Sequence, residues 1–219
     1  MSGLAGAKPP ERVTLEGRYA RLEPADDRHA AGLYGAMAVP DALERYAYLP
    51  VDPPQSIDDV RDWISGKQAV ADPIIFVVID RADGRIGGRQ SLMRIVPEHG
   101  VIEIGHVYWG PSISRTRVAT EALYLFARHV FDDLGYRRFE WKCHDRNEPS
   151  KTAARRFGFT FEGIFRQHMV VKGRNRDTAW YAMLDHEWPA LRTAYAAWLD
   201  PGNFDGAGRQ LRRLEEVRP

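Results

Sequence analysis

The chain has 219 residues, 44% of them hydrophobic and 28% charged, which suffices for one packed domain and excludes wholesale disorder. Lys plus Arg number 31 against 30 Asp plus Glu, a formal net charge of +1, which argues against a nucleic-acid binder with its basic footprint. A single Cys excludes a disulfide framework or a cysteine-rich zinc site. No apolar run reaches the ~18–20 residues of a membrane span, and there is no signal-peptide core, so a cytoplasmic enzyme or small-ligand binder is expected.

In chain order, residues 1–12 mix Gly, Ala, Lys and a Pro pair without periodicity and read as a loose leader. Val13–Leu15 and Tyr19–Leu22 read as a short hairpin. Asp26 opens a helix to about Met37, and Ser56 opens another to about Ala71, with Val60, Trp63 and Ile64 on one stripe. The period then changes. Ile74–Asp80 is a continuous β-branched run, Asp83-Gly84 a turn, Ile86–Ile95 the return strand, and Val101–Trp109 the third strand of a meander. Ala119, Ala122, Leu123, Phe126, Ala127, Val130, Phe131 and Leu134 recur at helical spacing and end at Gly135. Arg137–Cys143 is the next strand, so a β-helix-β unit favours a parallel pair here. Asn147 caps a short helix with Pro149 in its first turn and Gly158 at its end. Strands follow at Phe159–Glu162, Arg166–Val171 and Thr178–Leu184, with a final helix at Trp188–Leu199. Residues 13–200 thus form one α+β domain, a mixed sheet with helices on its faces. The tail, 201–219, is expected either to fray or to fold as a short amphipathic helix on Leu211 and Leu214.

Two helix starts concentrate the chemistry. Between Arg115 and Arg156 there are ten Lys or Arg against six Asp or Glu. Arg115 and Arg117 stand at a helix N-terminus, where the macrodipole disfavours cations. Either they reach solvent, or they clamp an anion docked on the helix N–H groups. At the second start, Asn147-Glu148-Pro149-Ser150 is a cap that also places Ser150 in a crevice of the sheet. Cys143 reads as a buried inert thiol rather than an acyl carrier. Five of the six tryptophans, Trp63, Trp109, Trp141, Trp180 and Trp188, sit at apolar positions and read mostly as core. Ile86-Gly87-Gly88 lacks the spacing of a dinucleotide fingerprint, and His, Asp and Glu show no metal-ligand spacing, so no metal is expected.

The order of elements, with IEIGHVYW, R-x-R-x-A-TEA, NEPSKTAARRFGF, FEGIFR and GRNRDTAWYAML, resembles the GNAT superfamily of N-acetyltransferases, and most closely its RimJ/RimL-like branch. The resemblance covers about Val13 to Trp188. It implies the acyl-CoA N-acyltransferase fold, a mostly antiparallel sheet with one splayed parallel pair. It also implies acetyl-CoA as acyl donor, a primary amine as acceptor (a protein N-terminus, as in the RimJ/RimL-like branch, an amino acid or a small-molecule amine), and direct attack in a ternary complex. Backbone groups at Val107, Tyr108 and Trp109 would then polarise the thioester carbonyl. The segment holding Arg115, Arg117, Val118, Ala119 and Thr120 would bind the diphosphate, and Asn147 and Ser150 would contact coenzyme A. Ser150 would protonate the departing thiolate and Glu103 would act as general base. Glu103 and His106, three apart on one strand, are expected on opposite faces. His106 is either structural or acceptor-facing. Arg166, His168 and Asp177 are acceptor-side candidates, with strand-edge or turn roles as the alternative.

Arg115 and Arg117 replace glycines of the family's loop, and Ala154 stands where many members carry a tyrosine acid. The rival readings are transfer of a larger acyl group such as succinyl, and a catalytically weak acyl-CoA-binding domain. A free sheet edge and exposed aromatics make a homodimer reasonable.

Overall fold

The computed structural model describes residues 6–218. Eight strands form one sheet: β1 (Leu15–Glu16), β2 (Ala20–Pro24), β3 (Ile74–Asp80), β4 (Ile86–Val96), β5 (Val101–Trp109), β6 (Arg138–His144), β7 (Thr160–Val171) and β8 (Arg174–Leu184). Their order is β1-β2-β3-β4-β5-β6-β8-β7. Every neighbouring pair is antiparallel except β5 and β6, which run parallel because a helix connects them.

The helices are α1 (Ala30–Met37), α2 (Ala42–Arg45), α3 (Ile57–Gln68), α4 (Arg117–Arg128), α5 (Glu148–Arg156) and α6 (Trp188–Trp198). Local chemistry sets their starts. Ser56 and Asp59 form a reciprocal capping box at α3, Thr116 caps α4 by accepting from the Val118 N–H, and Asn147 caps α5 by accepting from the Ser150 N–H.

The continuous apolar run of β3 reflects burial on both faces. Ile74, Phe76 and Val78 join the large core under α4, whereas Ile75, Val77 and Ile79 join a second core under α1 and α3. On β5 and β6 the large core takes Ile102, Ile104, Phe139 and Trp141, all nearly inaccessible, and packs them beneath Leu123 and Phe126 of α4. At Gly88 a side chain is impossible, because an added Cβ would lie 2.2 Å from the Tyr108 carbonyl oxygen of the adjacent strand.

Several expectations are corrected. The two strands expected at Phe159–Glu162 and Arg166–Val171 are one strand, β7, interrupted by bulges at Phe161/Gly163 and Phe165/Met169. Strand β8 begins at Arg174, four residues early, because Lys172 and Gly173 both take positive φ and close a tight hairpin. The four-residue helix α2 was not expected; it is too short for periodicity to reveal. The expected leader is partly tied down, with the Ala7 N–H donating to Pro97 at 3.0 Å and the Lys8 N–H to Leu134 at 2.9 Å; residues 1–5 lie outside the described residues. The tail folds as two short 3-10 turns rather than a helix. Leu214 is fully buried, Leu211 is exposed, and the Asn203 amide donates to the Trp198 carbonyl at 2.9 Å. Among the described residues no helix is long and apolar enough to cross a membrane.

Candidate active site

Pairing between β5 and β6 runs from Val101/Arg138 to Ile104/Trp141 and stops there, while β5 continues to Trp109 and β6 to His144. The two strands diverge, and a cleft of about 390 Å³ opens between them. It extends from Asn147, Ser150 and Ala153 of the α5 start to Tyr48, His168 and Arg176 on the opposite side of the sheet.

A bulge in β5 shapes the middle of this cleft. The β4 register shifts between Arg89/Tyr108 and Ser91/Gly105, and His106 takes a left-handed φ of 47°. The inserted residue reverses the strand's alternation. Glu103 and His106 therefore face the same cleft, contrary to the expectation that three-residue spacing separates them. His106 Nδ1 lies 2.9 Å from the Ser91 hydroxyl, and its ring packs edge-on to Trp63. Burial, reinforced by Arg89, Lys67 and Arg94, pushes the His106 imidazole down to about 4, so it is neutral near pH 7.

Glu103 is nearly fully buried within a line of alternating charges. Its carboxylate meets Arg94 Nη1 and Lys142 Nζ, each at 2.9 Å; Lys142 also meets Glu140 at 2.6 Å, and Glu140 meets Arg138 at 2.7 Å. Burial pushes the Glu103 carboxyl up, against the pull of Lys142 and Arg94. Lys142 Nζ also sits 3.7 Å over the Trp180 ring, so Trp180 serves as a half-buried platform for a cation, as Trp63 does for Arg89, rather than as core.

At the α5 start the Trp141 indole N–H donates to Ser150 Oγ at 3.0 Å, and Asn147 fixes the Ser150 backbone. Because Oγ accepts from Trp141, its own proton remains available for donation into the cleft. The Cys143 thiol beside Ser150 is buried, and burial pushes it up, as an inert thiol requires.

The cleft brings together Glu103, His106, Val107, Trp109, Asn147, Ser150 and His168. His168 Nδ1 lies 3.0 Å from the Thr178 hydroxyl. Other expected site residues lie elsewhere. Tyr108 belongs to the core under α1 and α3, its side chain pushed up to about 12 by burial, so at most its backbone borders the cleft. Arg166 is exposed on β7 outside the cleft lining. Asp177 accepts from the Gln167 N–H at 2.7 Å and from Asn175 Nδ2 at 3.0 Å, which braces the β7 bulge. Arg117 and Val118 line a separate groove. There the Arg117 guanidinium lies 4.4 Å over Tyr19 and 5.3 Å over Phe204. Ala119 and Thr120 are buried, and Thr120 Oγ1 accepts from Arg156 at 3.1 Å. Arg115 is exposed with a φ of 62°, so it adopts the left-handed conformation its glycine counterpart would take more cheaply.

The cleft also exposes residues that sequence reading did not select: Arg89, Arg94, Lys142 and Arg176 line it. A signal existed for Lys142. It alternates with Trp141 and Cys143 on a strand otherwise destined for the core. Among the described residues no cluster of three His, Cys, Asp or Glu could hold a metal.

A parallel pair that diverges within an otherwise antiparallel sheet, with a helix start at the opening, defines an acyl-CoA-type transferase architecture. The acetyltransferase (GNAT) domain family matches residues 20–160, and the chain belongs to that family. A GCN5-related N-acetyltransferase from Brucella melitensis is 55% identical, with a TM-score of 0.97, covering 100% of this chain and 99% of that one. A probable acetyltransferase of the GNAT family from Chromobacterium violaceum ATCC 12472 is 41% identical, with a TM-score of 0.80, over 87% of this chain and 95% of its own. The Bacillus subtilis protein named "Putative ribosomal N-acetyltransferase YdaF" is 29% identical over 107 residues, 48% of this chain and 57% of its own length. The chain thus spans little more than half of that curated relative.

Proposed function

We propose that the protein transfers the acetyl group of acetyl-CoA to a primary amine by direct attack in a ternary complex. The observation that carries this reading is the opening between β5 and β6 with Ser150 at its rim. The residues fit such a donor: β5 beyond Ile104 is released from β6, so its edge is free to pair with an amide-bearing arm. Acetyl-CoA supplies an activated thioester. The backbone of the Val107–Trp109 segment is suited to polarise a carbonyl. Ser150 Oγ, held by Trp141, is suited to give its proton to sulfur. Glu103, on the acceptor face, is suited to take a proton from the amine, and the bulge brings neutral His106 to the same face as a second acceptor.

Within the family, the motif order favours the RimJ/RimL-like branch, and the name of the Bacillus relative points the same way. The edge strand β7 exposes Phe161, Phe165 and Val170, which supports the homodimer reading; sedimentation would show a single 219-residue species if it is wrong.

A broad amine screen with detection of the released thiol tests the function. Transfer predicts thiol release that depends on the amine; binding of acetyl-CoA without release would instead assign a non-catalytic binding domain. Ser150→Ala is expected to lower kcat, at or below the low end of the roughly 10²–10⁴-fold contribution of a general acid, because a thiolate is already a fair leaving group. An unchanged kcat with a raised KM would reassign Ser150 to binding.

A further inference from the structure

The acceptor side of the cleft carries an excess of positive charge that acetyl transfer alone does not require. Arg45, Arg89, Arg94, Lys142 and Arg176 line it, against Glu103 as the single lining carboxylate among the described residues. Three of these cations are matched. Arg45 pairs with Asp41 at 2.8 Å, Arg94 with Glu103, and Lys142 with Glu103 and Glu140. Arg89 and Arg176 pair with no carboxylate among the described residues; Arg176 Nε meets the Thr178 hydroxyl at 3.2 Å.

Arg89 is the more informative of the two. It lies in β4 and is 3% exposed. Its Nη1 donates to the His106 carbonyl at 2.7 Å, and its guanidinium lies 4.2 Å over the Trp63 ring. Among the described residues its Nε has no hydrogen-bond partner. The hydroxyl of Tyr46, a residue 1% exposed, has no hydrogen bond of good geometry either; it lies beside the Arg89 guanidinium, whose charge and N–H groups oppose the burial that pushes the phenol up. The two residues meet at a side recess of about 190 Å³ that shares Arg89 and Val51 with the main cleft. Two carboxylates also line this recess, but both are engaged. Asp52 pairs with Lys172 at 2.8 Å, and Asp59 accepts from the Gln55 and Ser56 N–H groups at the α3 start. This leaves Arg89 as the charge without a counter-ion there among the described residues.

A buried guanidinium without a counter-ion is destabilising, and so is each buried donor left unpaired, because neither recovers the hydration it gave up. One planar anion removes these penalties together, because a carboxylate accepts from a guanidinium and a hydroxyl at once. We propose that the amine acceptor carries a carboxylate, which binds against Arg89 and Tyr46 while its amine points toward the β5–β6 divergence. The acceptor is then a small amino-acid-like molecule, and the inference rests on the acetyl-transfer reading. The surrounding cations also favour the neutral amine that must attack, as they already hold the imidazoles of His106 and His168 below their ordinary value after burial has done most of that work.

The test uses the full chain, acetyl-CoA, and a series of α- and ω-amino carboxylates, each beside its own primary amide. At least one carboxylate should exceed its amide tenfold or more in kcat/KM. Arg89→Met and Tyr46→Phe should each shrink that ratio toward one; the second keeps the aromatic ring and serves if the first fails to fold. Amides that match or exceed their carboxylates throughout, or a ratio that survives both substitutions, would overturn the proposal. So would a loss confined to succinyl-CoA as donor with amide acceptors, because the anion would then belong to the acyl group. If no amine releases thiol, the acetyl-transfer reading fails by itself. Calorimetric titration of the N-acetyl carboxylates and their amides, with coenzyme A present, then decides the anion site: selective carboxylate binding lost in Arg89→Met supports it, and equal binding overturns it.

Discussion

The two faces of β5 and β6 are built from alternate residues of the same two strands, yet they do opposite things. Toward α4 the strands present Ile102, Ile104, Phe139 and Trp141 to the core. Toward the open side they present Glu103, Glu140 and Lys142, all under a tenth exposed and linked by charge. A stretch of sheet that needed only to be stable would repeat the apolar pattern on its second face, because buried ion pairs are often no more stabilising than hydrophobic packing of similar volume. The helix side holds the fold, and the open side carries the charges on which the proposed acceptor site rests.

Substitutions on each face sharpen this contrast. On the apolar face, Phe139→Ala should cost about 3–5 kcal/mol in chemical denaturation, the range for a large buried aromatic. On the polar face, Lys142→Met leaves two buried carboxylates facing each other. Each retains an arginine, so a loss near the low end, about 3 kcal/mol, is expected. That loss should shrink as the pH falls and Glu103, already pushed up by burial, protonates. If Lys142→Met instead stabilises the protein at pH 7, the line of charges is dispensable for folding and the polar face owes its charge to function alone.

His106 gives a pH signature to the same face. Its folded pKa of about 4 lies below the unfolded 6.5, so the unfolded chain binds more protons between those values. Its contribution is complete above about pH 6.5 and is lost as pH falls through about 4. After allowance for its partial exposure it amounts to roughly 2 kcal/mol. Urea denaturation at several pH values should show this slope, and His106→Asn, which tolerates the left-handed backbone, should flatten it. An unchanged slope would mean that other groups produce it.

Most of the apolar face was legible in the sequence. The α4 stripe, the β3 run and the β-helix-β unit all follow from periodicity and caps. The polar face was legible only in part. Ser150 and Asn147 are visible because a cap has a short-range signature. The meeting of Glu103 and His106 is not, because one bulged residue reverses the alternation on which strand reading depends. Arg89 and Tyr46 come together from β4 and the end of α2, elements distant in the chain, and no local pattern announces the pair.

The smallest effect concerns Arg117. Its place over Tyr19 and Phe204, outside the cleft lining, makes it a link between the α4 start and the tail. Arg117→Ala should cost about 0.5–1 kcal/mol of stability and weaken acetyl-CoA binding less than tenfold. A tenfold or greater loss of affinity would return it to the diphosphate site that its position in the family motif implies.

The central claim is that the acyl donor occupies the divergence between β5 and β6. Hydrogen–deuterium exchange with and without saturating acetyl-CoA measures this directly. Slowed exchange concentrated in residues 105–109 and in the segment from 142 to 151 is the predicted result. Protection confined to the groove around Tyr19, Arg81 and Arg117, with 105–109 unchanged, would contradict it.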